Sequence, residues 1–166
     1  QAIAEGTPVV GLEPSCVAAF RDELTSLFPG DERAKRLSSQ TQTLSEFLVE
    51  RAYHPPQLRM HALLHGHCQE KAVLTFDAEK QLLQRAGMTV EAPDSGCCGL
   101  ADQLGFEAEH YDISMQIGEQ RLLPAVRATP STELVIADGF SCREQVHQGT
   151  GRVAYHVAEV LAAALH

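Results

Sequence analysis

The sequence predicts an α/β protein, a layered fold in which a mainly parallel sheet is flanked by helices. Short apolar segments alternate along the chain with longer segments whose apolar residues recur at helical spacing, which favours repeated strand–helix units. The segment Leu134-Val135-Ile136-Ala137 is apolar throughout, as is typical of a parallel strand covered on both faces. Hydrophobic residues make up 44% and charged residues 21% of the 166 residues, as in an ordinary globular domain with its own core.

Residues 1–57 contain one strand candidate followed by several helix candidates. Val9, Val10 and Leu12 indicate a short buried strand. Pro55-Pro56 interrupts the pattern, and we expect a linker there between two parts of the chain. The elements predicted for this first part are a strand at 7–13 and helices at 17–24, 31–37 and 42–52.

Residues 58–166 repeat the alternation more clearly and end in an alanine-rich helix. Gly87 is expected to end the first helix of this part. Gly118 and Pro124 are expected to divide or bend the longest one, because proline cannot continue an α-helix without a break in its hydrogen bonds. The predicted elements are strands at 58–64, 88–92 and 134–137, and helices at 76–86, 107–127 and 155–165.

The net charge of the chain and the length of its apolar runs indicate which binding partners and which cellular compartments to expect. A formal net charge of −9 argues against nucleic acid, whose phosphates require a basic surface. No apolar run approaches the roughly 20 residues that cross a bilayer, and the first residues lack the basic and apolar regions of a secretory signal. We therefore expect a cytoplasmic protein, or one associated with a membrane through a parent enzyme. Its start resembles the inside of a helix or loop, so we expect a fragment of a longer chain.

The chain has five cysteines, Cys16, Cys68, Cys97, Cys98 and Cys142. An odd number, an adjacent pair and the lack of a secretory signal make a disulfide scaffold a weak interpretation. The single cysteines each follow a predicted strand, and the adjacent pair follows the strand at 88–92. Because the carboxyl ends of parallel strands share one edge, where open α/β sheets bind ligands, we expect these thiols to meet there.

The segment Gly96-Cys97-Cys98-Gly99 is the strongest candidate for chemistry. Two adjacent thiolates can bind one polynuclear centre if the chain turns sharply, which the flanking glycines allow. A helix starting just after the loop would direct its positive N-terminal end at the thiolates. The alternative is a buried pair of small side chains that bind nothing.

Histidines accompany Cys68 in the segment Leu64-His65-Gly66-His67-Cys68. Histidine and cysteine together suit zinc or iron, so His67 is a candidate ligand or hydrogen-bond donor to sulfur. For either histidine taken alone, we favour a solvated loop residue.

Charged residues accompany the two remaining cysteines. Arg143 follows Cys142 at a predicted helix start, where both features lower the pKa of a thiol. Nearby Asp138 and Glu144 are interpreted as caps. Cys16 has the same strand–turn–cysteine–helix layout, and Glu13 before it is expected to cap or to bind backbone.

Together these segments resemble the CCG cysteine-rich domain of heterodisulfide reductase B subunits and glycolate oxidase iron–sulfur subunits. They are most similar to the C-terminal part of fused FAD and iron–sulfur dehydrogenases that act on D-2-hydroxy acids such as D-lactate or D-2-hydroxyglutarate. The segments that carry the resemblance are Gly11-Leu12-Glu13-Pro14-Ser15-Cys16, Leu64-His65-Gly66-His67-Cys68, Ser95-Gly96-Cys97-Cys98-Gly99, His110-Tyr111-Asp112 and the run from Ala137 to Gln145.

The resemblance implies a pseudo-repeat of CCG modules, with the tail of a first repeat and a helical linker in 1–57 and a complete repeat in 58–166. It implies a 4Fe–4S cluster on Cys68, Cys97, Cys98 and Cys142, and a second, incomplete site at Cys16. Gly139 stands where heterodisulfide reductase motifs offer a further cysteine, which argues against their full non-cubane cluster. FAD and a ferredoxin-like domain are expected elsewhere in the parent chain, since neither Gly-x-Gly-x-x-Gly nor a ferredoxin cysteine run occurs here.

The implied function is electron transfer from a reduced flavin to an unknown acceptor, by a module that does not turn over substrate alone. Two alternatives stay open at this point. One is a structural zinc site on the same thiols, and the other is metal-free thiol–disulfide chemistry. His110 is a distal candidate ligand, although we favour a half-buried Tyr111 and a helix cap by Asp112 as the account of that segment.

Overall fold

The computed structural model describes residues 1–74, 76–101 and 104–165, and within them five strands form two parallel sheets. The strands are β1 (Val9–Gly11), β2 (Thr41–Thr43), β3 (His61–Leu64), β4 (Thr89–Glu91) and β5 (Leu134–Ile136). The α-helices are α1 (Pro14–Ala18), α2 (Leu24–Leu27), α3 (Glu32–Gln40), α4 (Leu44–Glu50), α5 (Cys68–Ala72), α6 (Phe76–Arg85), α7 (Tyr111–Gln120), α8 (Leu122–Ala128), α9 (Phe140–Thr150) and α10 (Val157–Ala163). The predicted α/β class, with parallel sheets flanked by helices, is confirmed.

The larger sheet has the order β4-β3-β5, and all three strands run in the same direction. Its central strand β3 pairs Ala62 with Val90 on one side and with Leu134 on the other. Since the strands are parallel, the chain leaves all of them at the same edge. The chain that follows β3, β4 and β5 carries Cys68, the Cys97-Cys98 pair and Cys142 respectively.

Both faces of this sheet are covered, which explains why its strands are apolar without alternation. On one face Ala62, Leu64 and Ile136 pack with residues of α6 and α10. On the opposite face Leu63 and Val135 pack with residues of α8 and α9. The cysteines Cys98 and Cys142 belong to the second cluster, so the thiol site borders the hydrophobic core.

The smaller sheet differs from the expectation in two ways. Strand β2 lies inside the segment predicted as a helix from residue 42, and α4 begins only after it. Strand β1 was expected to be buried, but Val10 is 37% exposed. Among the described residues, β1 pairs only with β2. The face of β1 that carries Gly11 lies against Val17 of α1, while the opposite face, which carries Val10, is left open.

Local sequence accounts for the start of α4. Thr43 caps the helix by accepting a hydrogen bond from the Glu46 amide, and the Glu46 carboxylate accepts one from the Thr43 amide. This reciprocal arrangement satisfies two amides that would otherwise lack partners at a helix start. Glu46 also accepts two hydrogen bonds of 2.7 Å from Arg21, which joins α4 to the π-helical turn Ala19–Glu23 between α1 and α2.

The long helix predicted over 107–127 is divided, as expected. A short 3-10 turn (Ala108–His110) precedes α7, and the chain breaks at Arg121 before α8. The break follows from Pro124, because its ring excludes an α-helical carbonyl four residues earlier and it has no amide hydrogen. Among the residues in the described ranges, no helix is both long and apolar enough to cross a membrane.

Candidate metal centre

Four of the five cysteines meet at the carboxyl edge of the larger sheet. Cys68 begins α5 just after β3, and Cys142 lies in the first turn of α9 just after β5. Cys97 and Cys98 lie in the loop that follows β4. The side chain of Cys97 interacts with those of Cys68 and Cys98, and Cys98 interacts in turn with Cys142. The sulfur atoms therefore form a continuous row.

The thiols of the row shift one another's pKa values in opposite directions. Interactions with the neighbouring thiols of Cys68 and Cys98 lower the pKa of Cys97, and interaction with Cys98 lowers that of Cys142. The pKa values of Cys68 and Cys98 are raised, chiefly by Cys97 and Cys142 respectively. Thiolates are the form that binds metal, so the lowered pKa values of Cys97 and Cys142 favour ligation.

The loop at Cys97-Cys98 stabilises negative charge with backbone amides. The Gly99 amide donates to the Cys97 sulfur at 3.3 Å, and the Ala101 amide also lowers the pKa of Cys97. The Leu100 amide acts in the same way on Cys98. The helix expected directly after the pair is absent from the described residues 99–101, and that expectation was wrong. Consecutive amides of an irregular loop can bind an anion, as the N-terminus of a helix also does.

The two glycines beside the pair differ in their roles. Gly99 has a φ of +109°, and a Cβ atom there would lie 2.1 Å from the Ser114 backbone oxygen. Gly96 has no atom within 4 Å of the corresponding position and no positive φ. Only Gly99 is therefore required by the backbone, whereas a Cβ atom at Gly96 would meet open space.

Cys142 is 1% exposed and lies where α9 begins. The amide of Phe140, at the first position of α9, donates to the Glu13 carboxylate at 2.8 Å, so Glu13 binds backbone as expected. Arg143 donates to the carbonyl oxygens of Ala137 and Asp138, so its hydrogen bonds hold the end of the strand segment in place.

His65 and His67 are buried, 1% and 4% exposed, so the interpretation of either as a solvated loop residue was wrong. They follow the central strand of the sheet and are enclosed by the loops of both neighbours. His65 Nδ1 lies 2.8 Å from the Ser95 hydroxyl, while its buried Nε2 has no hydrogen-bond partner. The His65 ring lowers the pKa of Cys142 after the larger effect of Cys98.

His67 caps α5 and occupies the space beside Gly139. Its Nδ1 accepts from the Gln69 amide at 3.3 Å and lies 4.0 Å from the Cys68 sulfur. A Cβ atom at Gly139 would lie 2.4 Å from the His67 ring and 3.3 Å from the Cys142 sulfur. With His67 in this position, residue 139 cannot carry the cysteine that the related motifs place there.

Other predicted residues do not belong to the row of sulfur atoms. Cys16 is exposed in α1. His110 lies 2.9 Å from the Glu107 carboxylate. Tyr111, expected to be half-buried, is 47% exposed and begins α7. The predicted cap by Asp112 was wrong, because Asp112 is inside the first turn of α7 and no side chain caps that helix.

The sequence interpretation missed residues that support the thiols. Lys71 contacts both the carbonyl and the hydroxyl of Ser95, so it joins α5 to the loop that carries Cys97 and Cys98. Glu70 is 3% exposed and accepts from the His67 amide at 2.8 Å. His67 and Glu70 have the spacing of a capping box, and this spacing is the sequence feature that could have identified Glu70.

No protein-family model matches the chain, but it is similar in sequence to parts of known dehydrogenases. The chain is 32% identical over 159 residues to D-2-hydroxyglutarate dehydrogenase of Pseudomonas putida and 30% identical over 161 residues to that of Escherichia coli. Each alignment covers 94% of this chain and 15% of the relative.

A different dehydrogenase shows a similar likeness. The chain is 29% identical over 167 residues to one subunit of the anaerobic glycerol-3-phosphate dehydrogenase of Escherichia coli, covering 97% of this chain and 41% of that protein. The chain is thus similar to a part of each relative. It spans less than half the length of any of these three.

Proposed function

We propose that this chain is a CCG-type cysteine module that binds a 4Fe–4S cluster and transfers electrons within a flavin-linked 2-hydroxy-acid dehydrogenase. The observation that carries the proposal is the row formed by Cys68, Cys97, Cys98 and Cys142 at one edge of the parallel sheet. Cysteine thiolates are the usual ligands of iron–sulfur clusters, and four of them complete a cubane site.

The donor set and the space around it fit such a cluster. Sulfur is the only ligand atom that the row offers, and soft thiolates favour iron–sulfur clusters or zinc. Gly96 beside Cys97 is exposed, and no atom lies within 4 Å of its Cβ position, so the loop is open to solvent on that side.

The four sulfur atoms do not form a ready-made site for a single zinc ion. Tetrahedral zinc, with Zn–S bonds of about 2.3 Å, brings every pair of sulfurs to roughly 3.8 Å. In the described part of the chain, the groups of three or more ligand-type side chains that approach within 4.8 Å of one another contain no cysteine. The thiols are therefore arranged in a row and do not form the compact set that one ion requires.

The protein supplies several groups that would tune the redox potential. Hydrogen bonds to sulfur and burial are the main influences on the potential of a cluster. Here the amides of Gly99, Leu100 and Ala101 interact with Cys97 and Cys98, and the His65 ring interacts with Cys142. Cys98 and Cys142 are buried, whereas Cys68 and Cys97 are partly exposed and offer the path for electrons.

The parent enzyme is part of the same proposal. The likeness to D-2-hydroxyglutarate dehydrogenases supports a D-2-hydroxy acid as its substrate, and the small fraction of each relative that is covered supports further domains that hold FAD and a ferredoxin-like centre. We further propose that residues 1–57 are the tail of a first CCG repeat, whose site at Cys16 is incomplete, and that 58–166 form a complete repeat.

Metal and sulfide analysis after anaerobic purification tests the proposal. We expect about four iron and four sulfide per chain, with broad visible absorption that bleaches on reduction. The variant with Cys97→Ser and Cys98→Ser should lose both, whereas the matched variant Cys16→Ser should retain them.

Three results would contradict the iron–sulfur assignment. Iron and sulfide that persist in the double variant would show that the row is not the site. One zinc per chain without sulfide would support the structural zinc alternative. A metal-free chain whose thiol count rises with reductant would support thiol–disulfide chemistry.

A further inference from the structure

Three buried carboxylates form a cluster beneath the row of thiols. Glu70 of α5, Glu79 of α6 and Asp138 after β5 each contribute one oxygen, and the three oxygens lie within 4.8 Å of one another. The residues are 3%, 1% and 4% exposed. Ionised carboxylates are rarely buried together, because desolvation and mutual repulsion both oppose it.

The basic side chains of the described ranges include no lysine or arginine within ion-pair distance of this cluster. The nearest is His156, whose Nδ1 lies 3.5 Å from an Asp138 oxygen. That nitrogen accepts a hydrogen bond from the Ala158 amide, so it carries no proton, and Nε2 faces the Leu12 carbonyl. Arg143 lies near Asp138, but its guanidinium donates to the backbone carbonyl oxygens of Ala137 and Asp138.

Glu79 lacks any partner of its own. Glu70 accepts from the His67 amide and Asp138 from the Val157 amide, each at 2.8 Å. Both carboxylate oxygens of Glu79 are buried without a hydrogen bond, and one of them faces the other two residues. A buried polar group without a partner is costly, so this side chain indicates a bound group between the three carboxylates.

We propose that Glu70, Glu79 and Asp138 bind one hard divalent cation. Opposite ligands in a calcium site lie about 4.6–5.2 Å apart, twice the Ca–O distance, so three oxygens within 4.8 Å fit the shell of a single ion. Carboxylate oxygens select such hard cations, while the neighbouring thiolates select softer metals. The site is therefore distinct from the thiol row and does not depend on the iron–sulfur assignment.

The cation would join the elements that support the cysteines. Glu70 lies two residues after Cys68 in α5, and Asp138 lies four residues before Cys142. Glu79 brings in α6, which packs on the sheet. A bound ion would hold the ends of β3 and β5 at a constant separation and would reduce the negative charge next to Cys142.

Titration of the chelator-treated chain with Mn²⁺ tests this site, because the electron paramagnetic resonance signal of the free ion disappears on binding. We expect about one Mn²⁺ per chain, displaced by Ca²⁺. Glu79→Gln should weaken binding about tenfold or more, since it removes one of three charged ligands. Asp138→Asn is a second variant with the same expectation, and circular dichroism verifies that each variant is folded.

Two matched variants locate the ion. Glu109→Gln alters an exposed acidic group beside Glu107 and His110 and should leave Mn²⁺ affinity unchanged. The variant with Cys97→Ser and Cys98→Ser should also bind Mn²⁺ normally. The proposal is overturned if the unaltered chain binds no Mn²⁺, if Glu79→Gln binds as tightly as the unaltered chain, or if Glu109→Gln abolishes binding.

Discussion

Replacement of Gly99 by alanine tests whether the backbone of the Cys97-Cys98 loop holds the thiols in place. Gly99 has a φ of +109°, where L residues are strained by roughly 1–3 kcal/mol. The new Cβ would also lie 2.1 Å from the Ser114 carbonyl oxygen and 2.9 Å from Gln145 Nε2. These two atoms are hydrogen-bonded to each other at 3.0 Å and Gln145 is buried, so neither can move aside freely.

The resulting steric overlap should cost a further 1–3 kcal/mol, roughly, as in overpacked cores. We therefore expect Gly99→Ala to lower the free energy of unfolding by about 2–6 kcal/mol, a large part of the stability of a typical domain. Urea denaturation followed by circular dichroism measures this change. Anaerobic iron content provides a second readout, because displacement of Cys97 or Cys98 should also reduce cluster loading.

Gly96→Ala is the matched control, since the new Cβ would meet no atom within 4 Å and the backbone has no positive φ. Its free energy of unfolding should change by about 0.5 kcal/mol or less. If Gly99→Ala and Gly96→Ala unfold at the same urea concentration, the argument that Gly99 is required by its conformation and its neighbours is refuted.

Three further changes test other parts of the structure. Burial raises the pKa of Glu79, so above about pH 4.5 the folded chain retains a proton that the unfolded chain has lost. With a chelator present, the free energy of unfolding should therefore fall as pH rises, by up to about 1.4 kcal/mol per pH unit. Glu79→Gln should reduce this dependence in urea titrations at several pH values, and Glu70, whose pKa burial raises to about 8, should account for part of what remains. Thr43→Ala should cost about 1 kcal/mol in the same assay, because the Glu46 amide loses its cap. Gly139→Ala should cost about 1–3 kcal/mol and displace the His67 ring, as nuclear magnetic resonance of the imidazole would show.

Each of these expectations has an opposing result. An unfolding free energy that does not vary between pH 5 and 8, roughly, would mean that Glu79 is not a buried acid in the metal-free chain. A Thr43→Ala chain as stable as the unaltered one would show that the cap contributes nothing. Unchanged His67 resonances in Gly139→Ala would show that the contact between these residues is absent.

The apolar pattern of the sequence was sufficient to locate most of the larger sheet. β3, β4, β5 and α6 lie where the pattern predicts them, because each buries apolar residues whose spacing follows its own geometry. Strand β2 was missed, since Thr41-Gln42-Thr43 has no apolar residue and depends on pairing with β1. Pairing with a distant segment leaves no local signal in the sequence.

The environment of the thiols could be predicted only in part. The cysteines were expected at one edge because parallel strands end together. The burial of His65 and His67 was not expected, because it arises from the loops of two neighbouring strands that are far away in sequence. The carboxylate cluster was missed for the same reason, since Glu70, Glu79 and Asp138 come from three separate elements.

The sequence by itself determined the α/β class, the strand order along the chain and the positions of the thiols after their strands. Hydrophobic periodicity and turn residues are local properties, so they can be recognised without coordinates. Only the tertiary structure decided the row of contacts among the sulfurs, the need for glycine at 99 but not at 96, and the meeting of three carboxylates. These features depend on distances of a few ångströms between segments far apart in the chain, which packing establishes and local pattern does not encode.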